Sequence, residues 1–196
     1  MILDASNTGS SGQSPEATEN TRLQSEIEQL KRNEEVEKTI HRHVAAAATI
    51  GLIPLPLVDM SALIALQINL IRKIAKAYDI PFTKNKAKTI ITSLAGAVLP
   101  TTLAPTMASF GKMIPLVGQT AGVVTMPILA GASTYATGRV FALHFESGGT
   151  FLNFDPEKAK ERYSGLFKKG KDVVSEMKAK EETKTTGKPG VIQESI

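Results

Sequence analysis

The residues able to do chemistry are few and scattered. Histidines stand at 41, 43 and 144, and there is no cysteine. His144 is followed by Glu146 and Asp155, with Gly148 and Gly149 between them. One imidazole and two carboxylates beside glycine-rich backbone suit a metal ion or a proton relay. They also suit the polar end of a helix where it meets lipid headgroups, which is the simpler reading. His41 and His43, two residues apart, do not share a helix face, so they make a poor metal pair. Asp59 is the one acid amid apolar sequence. An intramembrane acid is a functional candidate, but an Asp just ahead of a helix caps it, and capping is favoured.

No catalytic set assembles around these groups. Without cysteine there is no disulfide, thiolate nucleophile, CxxC redox pair or Cys–zinc site. No G-x-S-x-G elbow occurs among the many Ser and Thr residues. Gly111-Lys112 is followed by Met, with no glycine five residues earlier, so no phosphate-binding G-x-x-x-x-G-K-[ST] loop exists. The net charge is only +4 and aromatic residues make up 5 % with no Trp, which argues against a nucleic-acid surface built on stacking. The expectation is a non-enzymatic protein with no metal and no cofactor.

The elements that would hold these residues are dominated by Thr89 to Gly138, fifty residues carrying one charge, Lys112. Uncharged runs of twenty-three (Thr89–Gly111) and twenty-six (Met113–Gly138) residues flank it. About 20 helical residues cross a bilayer core, so the pattern predicts a membrane-spanning helical hairpin reversing near Lys112. Its composition is small and polar rather than Leu-rich, and Pro100, Pro105 and Pro127 interrupt it. A buried helix pair in a soluble bundle is the alternative. Gly118 and Gly122 have GxxxG spacing, and Ala130, Thr134 and Gly138 place a small residue at every fourth position; such faces let helices approach closely in lipid or in protein.

Around that stretch the chain predicts further helices. Residues 1–20 are small and polar and read as disordered. Residues 21–43 form a polar lead-in helix with a narrow stripe of Leu23, Ile27, Leu30, Val36 and Ile40. Residues 44–150 form the hydrophobic domain, beginning with a short or re-entrant hairpin turned at Pro54–Pro56. Asp59 caps its second helix, Met60 to about Tyr78, and Gln67 and Asn69 face protein rather than lipid. A basic connector, Arg72 to Lys88, holds six cations and one acid, Asp79. A cytoplasmic connector and termini satisfy the positive-inside expectation. Ser147 to Thr150 stops a helix. Asp155-Pro156-Glu157 starts an amphipathic basic helix over 151–182 that suits either an anionic membrane surface or the lead-in helix. Residues 183–196 read as a disordered tail. The first residues lack a basic and an apolar region, so no cleaved signal is expected.

Several runs carry a resemblance. Gly51-Leu-Ile-Pro-Leu-Pro-Leu-Val-Asp59, Tyr78-Asp-Ile-Pro-Phe82, Lys112-Met-Ile-Pro-Leu-Val-Gly118, Gly131-Ala-Ser-Thr-Tyr-Ala-Thr-Gly138 and His144-Phe-Glu-Ser-Gly-Gly-Thr-Phe-Leu-Asn-Phe-Asp-Pro156 occur in order. Over about residues 41–172 the chain resembles the YcjF-type family of helical domains of unknown function. The resemblance implies membrane association. It also implies a GTPase partner, because a similar segment follows Era- or dynamin-like GTPase domains in some members; this chain has no such domain within it. The expectation is therefore an all-α protein of two helical hairpins flanked by polar helices, in a lipid bilayer such as a bacterial inner membrane. It would act as a scaffold or adaptor beside a GTPase, with self-association open. The rival reading is an oligomeric pore or transporter lined by Thr and Ser.

Overall fold

The computed structural model describes residues 15–52, 56–96 and 115–186. All regular structure there is helical: α1 Pro15–Ile50, α2 Pro56–Ala77, α3 at residues 84–96, α4 Pro115–Glu146 and α5 Pro156–Thr186. The chain divides into two compact units after Glu35. The first holds the N-terminal part of α1, a solvated helix in which Leu23, Ile27 and Leu30 are exposed and Arg22 pairs with Glu26 at 3.0 Å.

The second unit is built around α4. From Ala130 to Phe145 this helix is buried on nearly every side: Ala130, Ala132, Thr134–Gly138, Val140–Ala142 and Phe145. A helix buried all round must be wrapped by others. The neighbours each bring one stripe: Val36, Ile40, Val44 and Ala47 from α1; Ile68, Leu70, Ile71 and Ile74 from α2; Tyr163, Phe167 and Val174 from α5. Spacings of three and four put each set on one helix face. α3 adds Ala87, Ile90, Ile91 and Leu94 to the same core.

The small residues of α4 are what admit these neighbours. A Cβ on Gly138 would lie 2.9 Å from Ile40 and 3.1 Å from Leu70. One on Gly131 would lie 2.6 Å from Val174, and one on Gly170 would lie 2.9 Å from the Ala132 backbone. At the α1–α2 corner, Gly51 meets Pro127 with equal tightness. Within the expected membrane-spanning hairpin, the stretch from Ala130 to Gly138 is therefore part of the central helix of a bundle, enclosed by protein. Among the described residues no helix is long and apolar enough to cross a membrane. Most of the first uncharged run, and Lys112 at the expected reversal, lie outside the described residues.

Other boundaries move as well. α1 runs unbroken through residues 43–44, where a domain boundary was expected. α2 begins at Pro56, a residue suited to the first helical position, so Asp59 stands inside the first turn rather than ahead of the helix. α5 packs along α4, with Gly170 seated against Ala132. Gln67 is buried as expected, but Asn69 is exposed.

The helix ends follow local chemistry. Thr83 precedes α3, and its carbonyl accepts the Ala87 N–H at 3.0 Å. α2 closes with Asp79 in the left-handed region at φ 55°, and α4 closes with Gly148 at φ 79°. In each case two backbone N–H groups fold back on the last turn: Asp79 to Lys76 and Ile80 to Ala75, then Gly148 to Phe145 and Gly149 to His144. Asp155 caps α5, its Oδ1 accepting the N–H of Glu157 at 3.0 Å and of Lys158 at 3.3 Å.

Two predictions follow from this packing. Gly165 and Gly170 lie on one helix, and a Cβ on Gly165 would meet nothing within 4 Å. Gly165→Ala is expected to stabilise the protein by about 0.5–1 kcal/mol, and Gly170→Ala to destabilise it by about 1–3 kcal/mol. Denaturant titration decides, and equal signs would refute the packing described. The second concerns the Asp155 cap. The hydrogen bond from the Lys158 N–H is the main reason its carboxyl lies below the ordinary value. A lowered folded value means that stability is present above the ordinary carboxylate range and is lost as pH falls through the folded value. Asp155→Asn should keep the cap and flatten that acid limb, whereas Asp155→Ala should lose both, as read from melting curves across acid pH.

Candidate functional site

The residues singled out by the sequence fall into two places. The first is the corner where α4 hands over to α5. Here the aromatic rings gather: Phe141 stacks on Phe154 at 4.9 Å between centroids, and Phe151 meets Phe145 at 5.2 Å and Phe82 at 5.8 Å. Arg72 of the basic connector lies over the Phe82 ring at 5.0 Å. This cluster pins residues 151–154 against the end of α4 and so fixes how α5 departs.

Beside the rings opens a cleft of about 330 Å³ between α4, the 147–155 loop and α5. Val140, Leu143, Phe154 and Ala159 give it apolar walls; His144, Ser147, Asn153, Asp155, Lys158 and Arg162 give it polar ones. His144 is held firmly. Its Nε2 lies 2.9 Å from the Thr150 carbonyl, which makes that nitrogen the proton-bearing one. Its ring stands edge-on to Phe154 at 4.8 Å. The ring also occupies the space a side chain at 149 would need, since a Cβ there would come within 2.4 Å of it. Thus Gly148 supplies the turn and Gly149 the room.

His144 and Asp155 therefore share one cleft, as their spacing suggested. Glu146 is exposed and does not line it. Among the described residues no group of three His, Cys, Asp or Glu side chains is placed to hold a metal ion. The cations of the cleft, Lys158 and Arg162, were not singled out from the sequence. Their spacing of four on the expected amphipathic basic helix was the available signal.

The second place is inside the bundle. The Gln67 amide donates to Ser133 Oγ at 3.1 Å and Thr134 Oγ1 at 3.4 Å, and its carbonyl oxygen lies 3.5 Å from Thr137 Oγ1. Ser133 Oγ lies 3.0 Å from the Tyr163 hydroxyl. One polar chain thus links α2, α4 and α5 through the core, with Gln67, Thr134, Thr137 and Tyr163 all buried. Nearby, Arg139 pairs with Glu37 of α1, while its Nε has no hydrogen-bond partner among the described residues. Sequence reading caught Gln67 but missed Tyr163. Of the other singled-out residues, Gly118 and Gly122 lie in the N-terminal part of α4, and Lys112 is not described.

The buried phenol generates a prediction. Burial pushes the Tyr163 hydroxyl above its ordinary value, against smaller opposing effects of its bonds to Ser133 and Thr137. A raised folded value gives stability that is complete below the unfolded value of about 10 and is lost as pH rises beyond it. Tyr163→Phe should cost about 0.5–1.5 kcal/mol at neutral pH and should shrink the alkaline loss relative to wild type. An unchanged alkaline limb in the variant would mean that the phenol is not held as described.

Comparison with known proteins gives the chain a family. The chain is 37% identical over 147 residues to Magnetosome membrane protein 22 of Magnetospirillum gryphiswaldense, covering 74% of this chain and 75% of that protein. No solved structure matches. Residues 16–172 match the family described as Domain of unknown function (DUF697), which spans all five helices up to the middle of α5, and the chain belongs to that family.

Proposed function

We propose that this protein is a non-enzymatic, membrane-associated scaffold that attaches through one end of its bundle. The observation that carries the reading is the run of α4 beyond its contact with Gly51. Twelve helical residues, Pro115 to Met126, precede Pro127 and carry no charge; at 1.5 Å per residue they extend about 18 Å. Leu52 and Met126, beside that contact, are 54% and 55% exposed. The opposite end carries the exposed cations Lys73, Lys76, Lys84, Lys86 and Lys88. An end that extends as uncharged helix and an end rich in cations suit a body that meets lipid with one and partners with the other. The name of the related magnetosome membrane protein supports the membrane half of this reading.

The partner half is finer. The family resemblance makes a GTPase the first partner to test at the charged end, and a second copy of the chain the next. The expected two-hairpin topology, with both termini and the 72–88 connector on the cytoplasmic face, draws no support from the described helices. Among the described residues, Ser133, Thr134 and Thr137, which the pore reading would need as a lining, spend their hydroxyls within the bundle.

The test is flotation of the full chain with lipid vesicles, together with carbonate washing of native membranes. Wild type should float and resist the wash. Leu52→Glu combined with Met126→Glu should lower the floated fraction several-fold with the melting transition kept. Recovery of wild type in the wash supernatant as a folded, monodisperse species would overturn the membrane reading.

A further inference from the structure

We infer that the cleft between α4 and α5 binds a phosphate-bearing ligand, gripped by Arg162. The inference rests on which hydrogen-bonding groups in the cleft are already used. Asp155 is already partnered: Oδ1 accepts the N–H groups of Glu157 and Lys158, and Oδ2 pairs with the Lys158 ammonium at 3.5 Å. The Asn153 side-chain carbonyl accepts from the Thr150 N–H at 2.7 Å and the Thr150 hydroxyl at 3.3 Å. The Ser147 hydroxyl donates its proton to the Leu143 carbonyl at 2.6 Å. His144 Nε2 is committed to Thr150.

What remains unspent is mostly donors. Arg162 lines the cleft with no ion pair or hydrogen bond among the described residues, although its neighbour Lys160 pairs with Glu157 at 2.6 Å. The Asn153 amide group and two protons of the Lys158 ammonium are likewise free to donate. Lys158 and Arg162 are one turn apart, an arrangement that repels on a helix unless an anion lies between them. A surplus of donors drawn from a loop and a helix suits a group with several acceptor oxygens and negative charge. A guanidinium fork fits a phosphate through two parallel bonds. The apolar wall of Val140, Leu143, Phe154 and Ala159 would take the carbon side of a phosphate ester. The N–H groups of α5 play no part, because Asp155 occupies them.

Such a phosphate can come from a soluble ester or from a phospholipid headgroup, and the experiment separates the two. The full chain is titrated calorimetrically with glycerol 3-phosphate and floated with phosphatidylglycerol vesicles. Arg162→Gln should weaken binding of at least one probe by ten-fold or more, and Arg162→Lys by less. Lys169→Gln, an exposed cation outside the cleft, should change neither, and all three variants should melt as wild type does. Loss confined to glycerol 3-phosphate identifies a soluble ester; loss confined to vesicles identifies a headgroup. Absence of wild-type binding to both probes, or equal losses in Arg162→Gln and Lys169→Gln, would overturn the site. The glycerol phosphate arm needs no bilayer. Vesicle binding that depends on Leu52 and Met126, with neither probe sensitive to Arg162, would leave the membrane reading standing while removing this one.

Discussion

Everything in the second unit depends on how closely its helices can approach α4. Dispersion forces fall away within a fraction of an ångström of optimal contact, so glycine at a crossing changes the whole geometry. Gly138 receives Ile40 and Leu70, Gly131 receives Val174, and Gly170 lays α5 on the Ala132 backbone. These approaches bring the buried polar groups within hydrogen-bond distance of one another. With a larger residue at 138 or 170, Gln67 and Tyr163 would stand away from the α4 hydroxyls. A buried amide without partners costs more than its bonds return. Close packing and polar satisfaction are thus one constraint met by the same few residues.

That constraint also locates the two ends. α4 is met at Pro127 by the Gly51 corner and at Phe145 by the aromatic cluster. Eighteen residues separate these points, about 27 Å along the axis. One end continues into uncharged helix and the other opens into the cleft with its cations. The aromatic cluster serves the cleft directly, because Phe154 forms one of its walls and holds the His144 ring edge-on. The single exposed Leu152 at that end is unremarkable beside so much buried ring surface.

Much of this was legible in the sequence where one residue type answers one local demand. Asp155-Pro156-Glu157 specified a cap, and Gly148-Gly149 a stop, because the backbone geometry there admits few alternatives. The all-α class and the family also followed from ordered short runs. The solvent of the uncharged stretch was less legible. Helices rich in Gly, Ala, Ser and Thr look alike whether lipid or other helices surround them, since what they provide is close approach in both cases. The partners of α4 come from stripes about 65 to 100 residues earlier and about 30 to 45 later, and periodicity within a helix does not say which stripes meet. The start of α2 was misplaced for a simpler reason: a leading Pro and a later Asp each signal a helix start, and Pro56 prevailed.

The polar chain through the core suggests why this bundle does not simply use leucine. An apolar stripe on α5 can slide along a small-residue face by one turn at little cost, because Gly and Ala offer few distinct holes. The bond from Tyr163 to Ser133, and from Ser133 onward to Gln67, exists in one register alone. A shift of about 5.4 Å, one helical turn, would bury the phenol and the amide without partners. The register of α5 in turn sets where Lys158 and Arg162 stand relative to His144 and Asn153. The interior hydroxyls and the surface cleft are therefore coupled: the former hold the helix that carries half of the latter.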